Sequence, residues 1–139
     1  MDTIQDIKLE VGVKALIMND AGQYLALKRS KPYPGEEEPR WDIPGGRINL
    51  GETLLDALAR EIKEETNLKM TGTPEIILGQ DILRVPGKHT VRLTYLAKAS
   101  GNVELSDEHP EYQWVNLESF KQLYHDLYLD PVFVYLEKH

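Results

Sequence analysis

Three glutamates, Glu61, Glu64 and Glu65, fall within REIKEETNL at residues 60–68, at spacings of three and four. On a helix that spacing makes them neighbours, and like charges so placed repel by ~0.2–0.5 kcal/mol per pair. They also occupy the last two turns of the helix predicted there, the end at which the macrodipole disfavours anions. Clustered carboxylate oxygens of this kind suit a hard divalent cation, Mg²⁺ or Mn²⁺, with room left for water and phosphate. Zinc prefers His and Cys. A second reading stands beside this one. Arg60 with Glu64, and Lys69 with Glu65, are spaced for i,i+4 ion pairs, which would make an ordinary salt-laced helix end. The helix alone does not choose between them.

The elements that must position these groups are legible in outline. Thr53 is the expected N-cap, with Asp56 as a weak capping box; the helix runs to about Thr66, and Asn67 closes it in the left-handed conformation. At 3.6 residues per turn, Leu55, Leu58, Ala59, Ile62 and Thr66 form the expected core stripe, and Asp56, Arg60, Lys63 and Asn67 the outward face. The three glutamates lie on neither, but in a band beside the stripe with Leu54, Ala57 and Leu68. Upstream, residues 9–18 read as a strand, and 24–29 as the second arm of a hairpin closed by NDAGQ. A Pro- and Glu-rich loop at 30–40 precedes a short strand at 41–43 and a Pro44-Gly45-Gly46 turn, whose bare backbone can approach an ion closely. Downstream, 75–85 and 89–99 form a hairpin and 112–116 a last strand. Residues 117–128 favour a helix, and Asp130-Pro131 look like the N-cap and first position of a terminal one. This order implies an α/β domain.

Bulk properties narrow the function. The 139 residues are 41% hydrophobic and 28% charged, with a net charge of −7. That balance disfavours nucleic acid and anionic membrane as partners but leaves a small phosphorylated ligand open, because a cation can reconcile an acidic pocket with an anion. There is no cysteine, so disulfides, thiolate metal sites and cysteine nucleophiles are excluded. The start, MDTIQDIKLE, has no signal-peptide pattern, and no apolar run approaches the ~18 residues that span a bilayer. The cytoplasm is the expected location.

Extending the view toward the N-terminus resolves the ambiguity at the helix. Gly46 is followed by five residues and Glu52, then by seven residues and Arg60-Glu61. After these come Ile62, Lys63, Glu64-Glu65, Thr66, Asn67 and Leu68. This resembles the Nudix box over residues 46–68, matching each defined position except the final glycine, where Asn67 stands. The run-in WDIPGG at 41–46 and EYQWVNLES at 111–119 also look like family features. The resemblance, to the MutT-like members of the Nudix hydrolase family, implies the Nudix fold. That fold is an α/β/α sandwich around a mixed β-sheet, here as a single domain over residues 1–139. It implies divalent-metal-dependent hydrolysis of a nucleoside diphosphate linked to another moiety. Carried over by position, Glu61, Glu64 and Glu65 hold the metal with help from the Gly45 carbonyl, and Glu61 is also a candidate base. Arg60 orients the glutamates, Glu52 braces the loop and helix, and Gly46 is a structural position of the box. In some family members the base comes from a later loop, for which Glu108 and Glu111 are the candidates.

Substrate contacts are thinner. Arg29, Arg47 and Arg84, with Lys28 and Arg92, are candidate phosphate contacts; Tyr33 and Trp41 are candidates to stack on a base, and Asp107 to read its edge. The four histidines lack ligand spacing, and none is assigned. The small size points to a nucleoside triphosphate, oxidised or not, cleaved to monophosphate and pyrophosphate. ADP-ribose, a nucleotide sugar or a dinucleoside polyphosphate is the alternative substrate. A non-catalytic nucleotide-binding regulatory module is the alternative from another class, although such modules usually show a decayed box. Dimers are common among proteins resembling this one, so a homodimer is a further expectation.

Overall fold

The computed structural model describes residues 6–139; the first five residues of the polar N-terminal stretch lie outside the described residues. The chain runs β1 (Lys8–Ile17), β2 (Tyr24–Lys28), β3 (Trp41–Asp42), β4 (Gly45–Arg47), α1 (Leu54–Thr66), β5 (Lys69–Ile82), β6 (Lys88–Ser100), β7 (Glu111–Val115), α2 (Leu117–Gln122) and α3 (Asp130–Lys138). The strands form a mixed four-stranded sheet, β4-β1-β6-β5, and an antiparallel three-stranded sheet, β3-β2-β7. Within the first, β1 lies parallel to β6 from Lys8↔Lys88 to Ile17↔Ala97, and β5 and β6 form the long hairpin. Among the described residues, no helix is long and apolar enough to cross a membrane.

Period-two alternation sorts the strand side chains into two cores. Val13, Ala15, Ile17, Leu25 and Leu27 pack with Ala57, Leu58 and Ile62 of α1. Leu16 and Ala26 point the other way and pack with Phe120 of α2 and with Val132 and Phe133 of α3. Helices therefore cover both faces, which is the layered α/β/α arrangement. Each fully buried Leu, Ile or Phe in these layers contributes about 1.5–3 kcal/mol of transfer free energy.

Several local expectations change. The turn after β1 forms as expected, with Asn19 Oδ1 accepting the N–H groups of Ala21 and Gln23. Yet β1 and β2 are not two arms of one hairpin: they share one bridge, Met18↔Tyr24, and then enter different sheets. Both edges of β1 are already taken by β4 and β6, as suits a run apolar on both faces. The Pro44-Gly45-Gly46 turn is instead the entry to β4, which pairs with β1 through Lys14↔Gly45 and Val13↔Gly46. The core face of α1 is rotated from the expected stripe: Leu55 is 40% exposed, whereas Ala57, Glu65 and Leu68 are buried. The helix expected over 117–128 stops at Gln122, and Asp130 is the first helical residue of α3, not its cap.

Asp126 accounts for that early stop. It is fully buried and accepts hydrogen bonds from Arg84 at 2.8 and 3.1 Å and from the Tyr33 hydroxyl at 2.7 Å. It also caps a 3₁₀ turn at Leu127–Leu129. Around it, the Trp41 N–H donates to the Tyr124 carbonyl and the Asp126 N–H to the Trp41 carbonyl, drawing the chain off the helical path. Burial alone would raise the Asp126 carboxyl, but Arg84, the Tyr128 N–H and Tyr33 more than reverse this and hold it well below the usual carboxylate range. A depressed folded-state value contributes stability that is lost only as the pH falls through it. Asp126→Ala leaves the Arg84 charge unpaired; urea unfolding at neutral pH is expected to show a loss of about 3–5 kcal/mol.

Candidate functional site

The site is built on the C-terminal end of α1, and both ends of that helix are set locally. Thr53 accepts the Asp56 N–H at 3.1 Å, and Asn67 takes the left-handed conformation at φ 64° while its N–H returns to the Lys63 carbonyl. Thr66 Oγ1 donates to the Ile62 carbonyl at 2.6 Å and accepts the Leu68 N–H at 3.1 Å, closing the last turn from within. Glu61, Glu64 and Glu65 therefore leave a fixed helix end, yet their environments differ. Glu65 is 6% exposed, whereas the Glu64 side chain is 58% exposed and Glu61 lies between them.

Arg60 binds the surrounding groups together. Its Nε and Nη2 grip Glu52 at 2.8 and 2.9 Å, Nη1 reaches Glu61 at 2.9 Å and Glu64 at 3.2 Å, and Nη2 also donates to the Arg47 carbonyl at 3.1 Å. Glu52 accepts the Asn49 N–H as well; the Arg60 bonds first, and this one second, hold its carboxyl at about 2. The Arg60–Glu64 half of the salt-laced reading is thus present. Its other half, Lys69–Glu65, is replaced: Glu65 turns inward and accepts the Gly45 N–H at 2.9 Å. Burial above all pushes the Glu65 carboxyl up to about 7; Lys14 and the Gly45 N–H oppose this, while Glu61 and Asp42 add to it. Lys14 itself donates to Asp42 at 3.1 Å and to the Ile43 carbonyl at 3.0 Å.

A cleft of about 490 Å³ opens here, lined by Gly45, Gly46, Glu61, Glu64, Glu65, Ser106, Asp107 and Glu108. The two glycines are required by close approach. A Cβ on Gly46 would meet the Glu61 carboxylate at 2.7–2.9 Å, and one on Gly45, at φ 153°, would fall 2.1 Å from the Val13 carbonyl oxygen. The opposite wall is a loop fastened by its backbone. Glu104 N–H donates to the Thr66 carbonyl at 2.9 Å, Ser106 N–H to the Glu65 carbonyl at 3.3 Å, and Ser30 N–H to the Glu108 carbonyl at 3.0 Å. Oxygen donors from a helix, bare glycine backbone and a carboxylate-bearing loop fit a hard divalent cation. Glu61, Glu64, Glu65 and Glu108, with the Gly45 backbone, line this cleft and are the groups that could hold one.

The remaining sequence candidates scatter. Glu111 is exposed on β7, opposite Lys28. Arg47 pairs with Glu10 at 3.1 Å and lines a neighbouring groove with Arg60 and Glu61. Arg29 lies beside Glu108 and His109, with its guanidinium 4.1 Å from the Tyr33 ring. Arg84 is outside the carboxylate cleft and committed to Asp126 and Tyr33, because a buried carboxylate outcompetes solvent for its guanidinium. Trp41 is buried in the second core. The residue that sequence reasoning missed is His109. It is 8% exposed, and the donor atoms of Glu65, Glu108 and His109 all lie within 4.8 Å of one another. Its only sequence signal is its place in the polar loop SDEHPE, since nothing in the spacing links it to Glu65.

Glu65 makes the stability of the metal-free protein depend on pH. Its carboxyl rises from 4.5 to about 7 on folding, so between these values the unfolded chain has released a proton that the folded chain keeps. Stability must therefore fall as the pH rises through that window. In chelator-treated protein, wild type is expected to lose roughly 3 kcal/mol more than Glu65→Gln between pH 5 and 8, read from urea unfolding of both at each pH.

Comparison with known proteins places this architecture. A family model described as NUDIX domain matches residues 8–134. The crystal structure of MutT protein from Methanosarcina mazei Go1 superposes with a TM-score of 0.81 at 30% identity, covering 95% of each chain. The ADP-ribose pyrophosphatase of Methanocaldococcus jannaschii is 28% identical over 119 residues, 84% of this chain and 67% of that one. The 8-oxo-dGDP phosphatase NUDT18 of Homo sapiens is 32% identical over 91 residues, which are 66% of this chain but only 26% of the human protein's length. With the family model spanning nearly all of the strands and helices described above, and the carboxylate helix at their centre, the chain belongs to the NUDIX domain family.

Proposed function

We propose that this protein is a divalent-cation-dependent pyrophosphohydrolase acting on a nucleoside diphosphate linked to another moiety. The first substrate class is a nucleoside triphosphate, oxidised or not, cleaved to monophosphate and pyrophosphate. The observation that carries the reading is the carboxylate cleft: three glutamates converge on bare glycine backbone, Glu61 and Glu64 share the single guanidinium of Arg60, and Lys14 is already bonded to Asp42 and Ile43. Mg²⁺ or Mn²⁺ bound there would neutralise phosphate oxygens and acidify the attacking water. Glu61, Glu64, Glu65 and the Gly45 carbonyl would hold the cation. Glu61, steadied by Arg60, would face it and accept the water's proton as the bridging oxygen leaves. Glu108 would close the carboxylate ring from the loop. A second hollow of about 360 Å³, lined by Tyr33, Arg84 and Tyr128 among others, offers aromatic and guanidinium faces suited to a base.

A second reading, ADP-ribose as substrate, draws on the M. jannaschii relative, whose match covers most of this chain. Products separate the two. Pyrophosphate plus a nucleoside monophosphate supports the triphosphate reading, and two monophosphates from ADP-ribose support the other. Glu61→Gln and Glu65→Gln are each expected to lower Mg²⁺-dependent turnover by about 10²-fold or more while keeping the wild-type fold by circular dichroism. Near-normal turnover in both variants would sink the metal assignment. Absence of both cation binding and turnover in wild type would favour a regulatory nucleotide-binding module instead.

A further inference from the structure

Among the described residues, His109 presents a buried polar atom that hydrogen bonding does not account for. Its Nδ1 has no partner, nor has the buried Oγ of Ser106, three positions earlier in the same loop. A buried ring nitrogen left unpaired carries the full desolvation cost of that group, and native structures rarely leave such atoms unexplained. The placement is not loose. His109 N–H donates to the Ser106 carbonyl at 3.2 Å, Ser106 N–H to the Glu65 carbonyl at 3.3 Å, and the Glu108 carbonyl accepts the Ser30 N–H at 3.0 Å. The loop that carries His109 is therefore held between the end of α1 and the segment that follows β2.

We propose that His109 supplies a nitrogen donor, with the carboxylates of Glu65 and Glu108, to a divalent cation at the loop wall of the cleft. Three donor atoms within 4.8 Å of one another match what one ion spans, because ligand bonds of about 2.0–2.3 Å place opposite donors roughly 4–4.6 Å apart. The consequence is selectivity. An all-oxygen set of carboxylates and carbonyls suits Mg²⁺ and Mn²⁺, whereas an imidazole in the set shifts preference toward ions that favour nitrogen, Fe²⁺, Ni²⁺ and Zn²⁺, and away from Mg²⁺ most of all. The inference rests on the metal-dependent reading above and adds a residue outside the carboxylate motif on α1, together with a preference among cations.

Binding, not turnover, tests it. Mn²⁺ titrated into the full chain and followed by pulsed electron paramagnetic resonance should show the modulation of a directly bound imidazole nitrogen in wild type, and none in His109→Gln. Ni²⁺ affinity should fall about tenfold or more in that variant, while Mg²⁺ affinity, measured by competition, changes less than about threefold. Absence of nitrogen modulation in the wild-type spectrum decides against the role even where the variant fails to fold, and His109→Asn serves as the second variant for assigning it. Bound Mn²⁺ without nitrogen modulation overturns the role of His109 and leaves the carboxylate reading standing, as does modulation that persists in folded His109→Gln. Mn²⁺ that does not bind wild type, or binds Glu61→Gln and Glu65→Gln as tightly as wild type, overturns the carboxylate reading and this inference together.

Discussion

A guanidinium has five N–H donors in a rigid planar fork, and Arg60 uses that whole set. Two go to Glu52, one each to Glu61 and Glu64, and one to the Arg47 carbonyl. The rest of the site depends on this knot. It offsets the repulsion along the last turns of α1, and through Glu52 and Arg47 it ties the helix to the connection that leads into it. A lysine would supply similar charge but not the planar geometry, since its ammonium cannot grip one carboxylate at two points while reaching two others.

With Glu52, Glu61 and Glu64 so restrained, Glu65 is left as the carboxylate without a guanidinium, and it faces inward. Its surroundings are unfavourable to a bare negative charge on two counts: burial, and the negative end of the α1 macrodipole. For a cation the macrodipole changes sign in its favour, and the burial that penalises a lone carboxylate strengthens its attraction to a bound positive charge. The helix end, the buried carboxyl and the bare backbone of Gly45 and Gly46 together would favour a cation over an anion in this cleft. The repulsion read in the sequence is the unliganded half of that balance.

What the sequence disclosed and what it hid divide along the range of the forces involved. Thr53, Asn67 and the spacing of the three glutamates were legible because caps and helical periodicity act over a few residues. The β5–β6 hairpin was legible for the same reason. The separation of β1 from β2 was not, because it depends on which strands occupy the edges of β1, and those come from β4 and β6. The end of α2 was hidden because Asp126 answers to Arg84 and Tyr33, which are 42 and 93 positions away in the chain. Helical geometry put the glutamates beside the core but could not show that the helix would turn far enough to bury Glu65 and expose Leu55. His109 escaped notice because its neighbour Glu65 is a neighbour only after the loop has been fastened down.

That fastening is made by main-chain atoms. The N–H groups of Glu104, Ser106 and Ser30 and the carbonyls of Thr66, Glu65 and Glu108 are present whatever side chains the loop carries. The wall of the cleft opposite α1 is therefore a fixed rail on which Asp107, Glu108 and His109 are interchangeable fittings. Substitutions at those three positions would change the lining of the cleft without rebuilding either core. The helix side has no such freedom: two glycines and an arginine leave no room for drift. One wall of the cleft tolerates a change of side chain, and the other does not.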